Sequence, residues 1–393
     1  MDFLRKYGMA FYLGITLLYK LNFIIPVAFV SIFYYLIMSI GLIIMLPKYK
    51  GRFVGYYVKY FKYIYIIVGF NLVYLIVFGF NKEGVLYWFA KLASSNLIMF
   101  SIISNISFYE NLFYKYFKYV LITLIGVGYL FGAVDEISAG AVNRLGMGFN
   151  PNDLGLFAAL GVLSIMLFNR TWYKKKVDFV LFGVFCLLTL MSGSKAALLN
   201  LVIGVILIYG FSARIFIFAL LFILVFLITP QLGYTTSIDR LLSKENVFET
   251  RNEVFEIGVQ TFNDAFWTGH GLDKYGWTDP SYWPLPEDAL GPHNTYLSIG
   301  IMYGAIFGFV FIFLLLIQLI KAVKIFFKNK SPFVKYSALM IILCIINGFF
   351  ETLIVGVNEF ITVLFWFSIG VVSFAWSTGK SLKIKKRQYG YSN

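Results

Sequence analysis

The chain consists mostly of long apolar runs separated by short polar links. A helix crossing the hydrocarbon of a bilayer needs roughly 20 predominantly apolar residues. Segments near that length predict about twelve transmembrane helices. Two lie within Gly8–Leu46 and divide near Lys20. Seven more follow at Ile64–Phe80, Leu92–Phe108, Tyr119–Val134, Leu154–Phe168, Phe179–Met191, Ala196–Gly210 and Ile215–Ile228. Thr295–Ile320, Tyr336–Phe350 and Ile361–Trp376 complete the set. The expected fold is an all-α polytopic integral membrane protein with a large extracytoplasmic loop before the tenth helix. It divides into residues 1–228 with helices one to nine, the loop 229–293, and residues 294–393 with the last three helices and a basic tail.

Composition agrees with this reading. Hydrophobic residues make up 60% of the 393 and charged residues 13%, with a mean hydropathy of +0.80. Soluble domains average about 45–50% and about 25%. A secreted disulfide scaffold, a disordered tail and an ordinary cytosolic enzyme are excluded. The formal charge of +14 would suit nucleic acid in another context. Here the cations lie between apolar runs and report topology, so no nucleic-acid partner is expected. Lys and Arg concentrate in cytoplasmic loops. With both termini in the cytoplasm, 24 of the 33 cations and 3 of the 19 acids lie inside, about +21 against −7 outside. The expected location is the cytoplasmic membrane, crossed many times. Residues 1–7 lead into a span with no small-residue cleavage site, so no cleavable signal peptide is expected. Cys186 and Cys344 fall within spans and read as small core residues.

The outer loop, roughly Thr229 to His293, is far longer than ordinary links, and such loops are usually functional or disordered. Its aromatic residues, Trp267, Tyr275, Trp277, Tyr282 and Trp283 among them, argue for a folded cap. Glu249 to Asn263 predicts an amphipathic helix with Phe255, Gly258, Val259 and Phe262 on one face. Both histidines of the chain, His270 and His293, lie here. Histidine titrates near neutrality and suits proton transfer. His293 is the stronger candidate base, because HNTYL at 293–297 places it where a helix begins. The plainer alternative is that His293 and Asn294 cap that helix.

Nine cations remain outside. Lys20, Lys82 and Lys91 read as interfacial anchors. Arg240, Lys244 and Lys274 lie in the loop beside Arg251, which opens the amphipathic helix where a cation opposes the helix dipole. Arg144 stands in RLGMGFNPNDLG at 144–155, and Lys195 at the tip of the hairpin SGSKAALL at 192–199. Snorkelling of Lys195 and an ordinary ion pair at Arg251 are the rival readings. Arg grips phosphate with a planar fork and Lys acts as a point charge. Fixed cations beside a histidine at the outer membrane surface suit an anionic, lipid-linked substrate whose diphosphate leaves as a sugar bond breaks. No Asp-x-Asp pair, HExxH spacing, Walker loop or dinucleotide glycine motif occurs, so no metal or cofactor is expected.

Taken in order, these motifs resemble the O-antigen ligase and Wzy-type polymerase superfamily of bacterial envelope glycosyltransferases. The matching pieces are RLGMGFNPNDLG, SGSKAALL, Arg251 on a loop helix, GHGLDKYG at 269–276 and HNTYLSIGIMYGAIFG at 293–308. The resemblance implies metal-independent transfer of a glycan from undecaprenyl diphosphate to a sugar hydroxyl outside the cytoplasmic membrane. It implies His293 as the activating base and Arg251 on the diphosphate, with Arg144, Lys195 and Asn294 as further substrate-binding residues. It also brings in a flippase and a chain-length regulator as partner proteins, besides membrane lipids. Three positions depart from the pattern: Lys195 stands where arginine is usual, Phe255 where tryptophan is common, and His270 where a small or apolar residue is common. The length favours a polymerase, which joins repeat units, over a ligase, which passes the finished chain to an acceptor. Two rivals are a lipid-linked oligosaccharide flippase, which would carry paired repeats, and a cell-wall glycan polymerase, which would carry a loop carboxylate.

Overall fold

The computed structural model describes residues 2–44, 59–131, 145–169, 171–210, 236–238, 247–272 and 293–378. Among these residues all regular structure is helical. The helices are α1 (Asp2–Leu18), α2 (Val27–Ile43), α3 (Lys62–Phe78), α4 (Lys82–Asn111), α5 (Phe117–Phe131), α6 (Pro151–Phe168), α7 (Lys176–Met191) and α8 (Lys195–Tyr209). They continue with α9 (Val247–Asp264), α10 (Thr295–Lys328), α11 (Pro332–Asn347) and α12 (Phe360–Thr378). Arg144, the expected span Ile215–Ile228, Arg240, Lys244, Lys274, most of the large loop and the basic tail lie outside the described residues.

Among the described residues four helical stretches are long and apolar enough to cross a membrane: Lys82–Phe131, Pro151–Phe168, Thr295–Lys328 and Phe360–Thr378. The expected break near Lys20 is present as a tight turn of helix, Tyr19–Leu21. The link expected between Phe108 and Tyr119 is helical instead. A straight run of the 50 residues Lys82–Phe131 would measure about 75 Å against a hydrocarbon core of about 30 Å. The run bends at Asn105 (φ −157°, ψ 50°) and in a π-helical turn, Leu112–Tyr116. Both redirect the chain while keeping most backbone groups bonded, which a bilayer demands.

The apolar windows of α6 and α12 are 83% and 89% buried, so these helices form the centre. That of α10 is 33% buried. Its stripe of Phe309, Phe313, Leu316, Ile320 and Phe327 faces outward. A contiguous apolar face of this kind is an aggregation hazard in water and an ordinary surface in lipid. This is a membrane protein. Cys186 and Cys344 are buried free thiols within it.

Side-chain bonds gather the helix ends into two sets, joined by α6. At its N-terminal end Lys20 pairs with Asp153 at 2.7 Å and Asn152 donates to Glu351 at 3.0 Å. At its other end Asn169 and Lys118 both hold Asp178, and Phe168 packs on Tyr336. Nearby, Tyr109 donates to the Lys6 carbonyl and Ser331 to Glu110. The 18 residues of α6 separate the two sets by about 27 Å, close to the thickness of the hydrocarbon core.

The link between α11 and α12 is non-helical, with Ile354, Val355 and Val357 buried. Unpaired carbonyls there would be costly. Successive carbonyls are instead taken by donors from four helices. Thr295 bonds Glu351, Thr362 bonds Leu353, Trp366 bonds Ile354, Tyr87 bonds Val355, Lys91 bonds Gly356 and Tyr12 bonds Val357. Lys91 was expected at the interface, yet it is only 6% exposed. Its Nζ lies 2.8 Å from the Gly356 oxygen, between the rings of Tyr87 and Trp366. A lysine on a long helix reaches inward when a carbonyl is there to receive it.

Candidate functional site

Helix α10 begins at a polar cap. The Asn294 Oδ1 accepts from the backbone N–H of Tyr296 at 2.9 Å and of Leu297 at 3.0 Å, while its Nδ2 donates to the Phe349 carbonyl at 3.3 Å. The Thr295 N–H donates to the Gly348 carbonyl at 2.7 Å. Both ends of the Asn294 amide are therefore engaged in fixing the start of the helix. His293, one residue earlier, has φ 48°, in the left-handed region that few non-glycine residues occupy. Strain of this kind persists where surrounding contacts over-determine it.

The His293 ring is 39% exposed, and its Nδ1 lies 3.3 Å from Glu351 Oε2. The other carboxylate oxygen, Oε1, accepts from Asn152 Nδ2 at 3.0 Å. Glu351 thus stands between an imidazole and an amide, with one oxygen for each. A carboxylate accepts, so this pairing places a proton on Nδ1 and leaves Nε2 available to accept one. The backbone of Glu351 is anchored as well, through Thr295 Oγ1 at 2.8 Å.

A second layer of charge lies behind this contact. Burial opposes the charge on Lys20, but Asp153 and Glu359 outweigh it and raise its pKa. Protein packed around the Glu359 carboxyl pushes its pKa above the ordinary carboxylate range; Lys20 pulls it down, and Asp153 and Glu351 add to the push. Among the described residues no group of three or more His, Cys, Asp and Glu could hold a metal ion.

The serine hairpin meets the same end of α6. Ser194 caps α8 by accepting from the Ala197 N–H at 3.2 Å, and Ser192 accepts from the Ser194 N–H at 3.2 Å. The Leu145 N–H donates to the Met191 carbonyl at 3.0 Å, which ties the 144–155 motif to the hairpin. A Cβ on Gly155 would lie 2.4 Å from Ser192 Oγ, so only glycine lets the two meet. Ser237 bonds the carbonyls of Thr189 and Leu190, which places residue 237 beside the hairpin. Lys195, half-buried, opens α8 directly after the cap.

Helix α9 covers the amphipathic stretch expected at 249–263 and carries Arg251, whose side chain lies outside the described residues. Its buried face is Val254, Gly258 and Thr261, spaced at one helical turn. Phe255 was expected on that face and is instead 44% exposed. One residue of rotation, about 100°, separates the two readings. Phe262 does pack inward, against Gly300 of α10.

Beyond α9 the chain inserts into a break in α10. Gly304 (φ 69°, ψ −178°) interrupts the helix. The His270 N–H donates to the Ile301 carbonyl, Gly271 N–H to Met302, and the Ala305 N–H returns to Phe266. Cβ atoms on Gly269 or Gly304 would meet the opposing backbone at 2.4 and 2.5 Å. The His270 ring bonds the Thr261 carbonyl through Nε2 at 2.7 Å. A carbonyl only accepts, so that nitrogen carries the proton and this bond is structural.

Three of the sequence motifs therefore converge at one end of the bundle: 145–155, 191–195 and 293–295. Residues 177–313 match the family model described as O-antigen ligase. Over that segment the chain is similar to the O-antigen ligase family. No curated protein matches the chain. The O-antigen ligase segment runs from the start of α7 into α10 and contains Lys195, Arg251, His270, His293 and Asn294. Arg144, Asn152 and Glu351 lie outside it. Asn152 on α6 and Glu351 in the link after α11 thus lie on either side of the matched segment. Asn152 and Glu351 were not singled out by sequence reasoning. Asn152 stands inside a quoted motif, but Glu351 carries no local signal beyond being an acid near the end of an apolar helix.

Proposed function

We propose that the protein polymerises oligosaccharide repeat units carried on undecaprenyl diphosphate at the outer face of the cytoplasmic membrane. The observation supporting this is the His293–Glu351–Asn152 chain, set beside the serine hairpin in a chain whose residues 177–313 match the O-antigen ligase family. His293 Nε2 takes the proton of the acceptor hydroxyl, and the resulting oxygen attacks the anomeric carbon. The bond from that carbon to the diphosphate oxygen breaks, and its electron pair leaves with undecaprenyl diphosphate. Glu351 stabilises the imidazolium that forms. Arg251, Arg144 and Lys195 hold the diphosphate, and Asn294 fixes the approach of His293 by capping α10. General-base catalysis of this kind contributes about 10²–10⁴-fold. The reaction uses no metal or cofactor in this reading.

The topology belongs to the same proposal: about twelve spans, both termini cytoplasmic, and residues 229–293 as an outer cap between residues 1–228 and 294–393. A flippase and a chain-length regulator are its protein partners. Cysteine placed at Lys82 should then label from outside, and cysteine at Lys330 only after permeabilisation; the reverse pattern would invert the topology. Cys186 and Cys344 are buried, which keeps the background low.

His293→Ala should abolish glycan chain extension while the protein still inserts in the membrane. Near-normal glycan ladders would remove His293 from the chemistry. A ligase reaction is the second reading, favoured by the description of the matching family. Glycans of a deletion strain separate the two. Single lipid-linked repeats indicate a polymerase, and long chains retained on lipid indicate a ligase.

A further inference from the structure

The end of α6 remote from His293 carries a polar cleft of about 250 Å³. Lys115, Lys118 and Lys175 line it, together with Tyr114, Tyr119 and Asn169. One carboxylate is present: Asp178, already bonded by Lys118 and by Asn169. Its charge is compensated. Among the described residues neither Lys115 nor Lys175 has a carboxylate partner, so the cleft keeps a net positive charge.

Three further features point to what fills it. Lys175 immediately precedes α7 in the N-cap position and makes no side-chain cap bond, so the first N–H groups of the helix remain available to an anion. Lys115 is presented by the π-helical turn Leu112–Tyr116, a device found frequently at functional sites. Exposed apolar groups flank the cleft on both sides, Tyr119 and Val120 on α5 and Val177 and Val180 on α7. A free anion would need the cations and N–H groups alone. The apolar walls add a surface for acyl chains. The volume is below the roughly 300–1,000 Å³ of pockets for drug-sized ligands, which fits a headgroup and is too small for an oligosaccharide.

We infer that this cleft seats the phosphate headgroup of an anionic phospholipid, held by Lys115, Lys175 and the start of α7, with the acyl chains along α5 and α7. The site is independent of the glycosyl-transfer reading, because none of its residues belongs to the His293 cluster.

The test uses the full-length protein purified in a neutral detergent. Native mass spectrometry and the thermal midpoint are followed with phosphatidylglycerol, with phosphatidylcholine and with inorganic phosphate. Phosphatidylglycerol should be retained and should raise the midpoint, while the other two should do neither. Each surface lysine interacting with an anionic membrane lipid contributes enough that Lys115→Gln/Lys175→Gln should weaken phosphatidylglycerol retention about thirtyfold, and either single variant about fivefold. Lys82→Gln, at the opposite end of the bundle, should leave it unchanged. Equal stabilisation by inorganic phosphate would make the site one for free anions and overturn the proposal. Equal retention of phosphatidylcholine, or undiminished phosphatidylglycerol in the double variant, would also overturn it. Should the double variant not fold, the single variants decide by the same criterion.

Discussion

His293 and Glu351 are 58 residues apart in sequence and 3.3 Å apart in space, on opposite sides of the α10–α11 hairpin. Gly348, which accepts from the Thr295 N–H, and Thr295, which donates to the Glu351 carbonyl, hold the two strands of this crossing together. These bonds fix the backbone on either side of the contact and leave the ring to be oriented by the carboxylate.

Replacing the carboxylate by an amide tests its role. Glu351→Gln is nearly isosteric and leaves the Thr295 bond in place. If the carboxylate orients His293 and stabilises its protonated form, glycan extension should fall by more than about tenfold with protein abundance unchanged. Comparison of kcat and KM for the lipid-linked donor should place the loss in kcat. An effect confined to KM would assign Glu351 to donor binding.

Asn152 should matter only through Glu351. Asn152→Ala removes its bond to the Glu351 carboxylate and should lower activity by less than Glu351→Gln does. In the Glu351→Gln background the same change should have little further effect. Residues sharing a hydrogen-bond network typically couple by about 0.5–3 kcal/mol. Additive losses would mean that Asn152 acts independently.

The Lys20 cluster predicts a dependence of stability on pH. The folded-state pKa of Glu359 is raised above its ordinary value of 4.5. A raised carboxyl binds its proton more tightly in the folded state, so its contribution is full below 4.5 and is lost as pH rises through the folded pKa. Glu359→Gln should flatten that decline. Lys20→Met removes the cation that limits the shift and should extend the decline toward neutral pH. Thermal midpoints across the range from pH 4.5 to 8 would measure both, and parallel curves for all three proteins would exclude the linkage.

Gly304 should be intolerant of any side chain. Its φ of 69° and ψ of −178° belong to a region occupied essentially by glycine, and a Cβ would lie 2.5 Å from the Trp267 carbonyl oxygen. Gly304→Ala should destabilise by about 3 kcal/mol, the strain and the displaced backbone adding. The thermal midpoint reports this directly. Gly14→Ala, where a Cβ meets open space, serves as the control.

Hydropathy made most helices legible, together with the turn at Lys20 and the cap at Asn294, because these follow from local composition and capping chemistry. Phe255 was misplaced because an apolar face read from three or four side chains can rotate by one residue when a helix docks on glycine, as α9 does at Gly300. The link at Leu112–Tyr116 looked like a loop because its lysine and tyrosines lower hydropathy without interrupting backbone bonding. Lys91 was read as an interfacial anchor and Glu351 was not singled out, both for a different reason. Each is decided by a partner at Gly356 or Asn152, more than 150 positions away, and no window along the chain contains both.

The link from Glu351 to Val357 has an evolutionary consequence. Six of its carbonyls are matched to donors fixed on four different helices. Deleting or inserting one residue would put every later carbonyl out of phase with its donor and would shift Glu351 against His293. Among the connections of this protein, this one should admit substitutions at many side chains and changes of length at none.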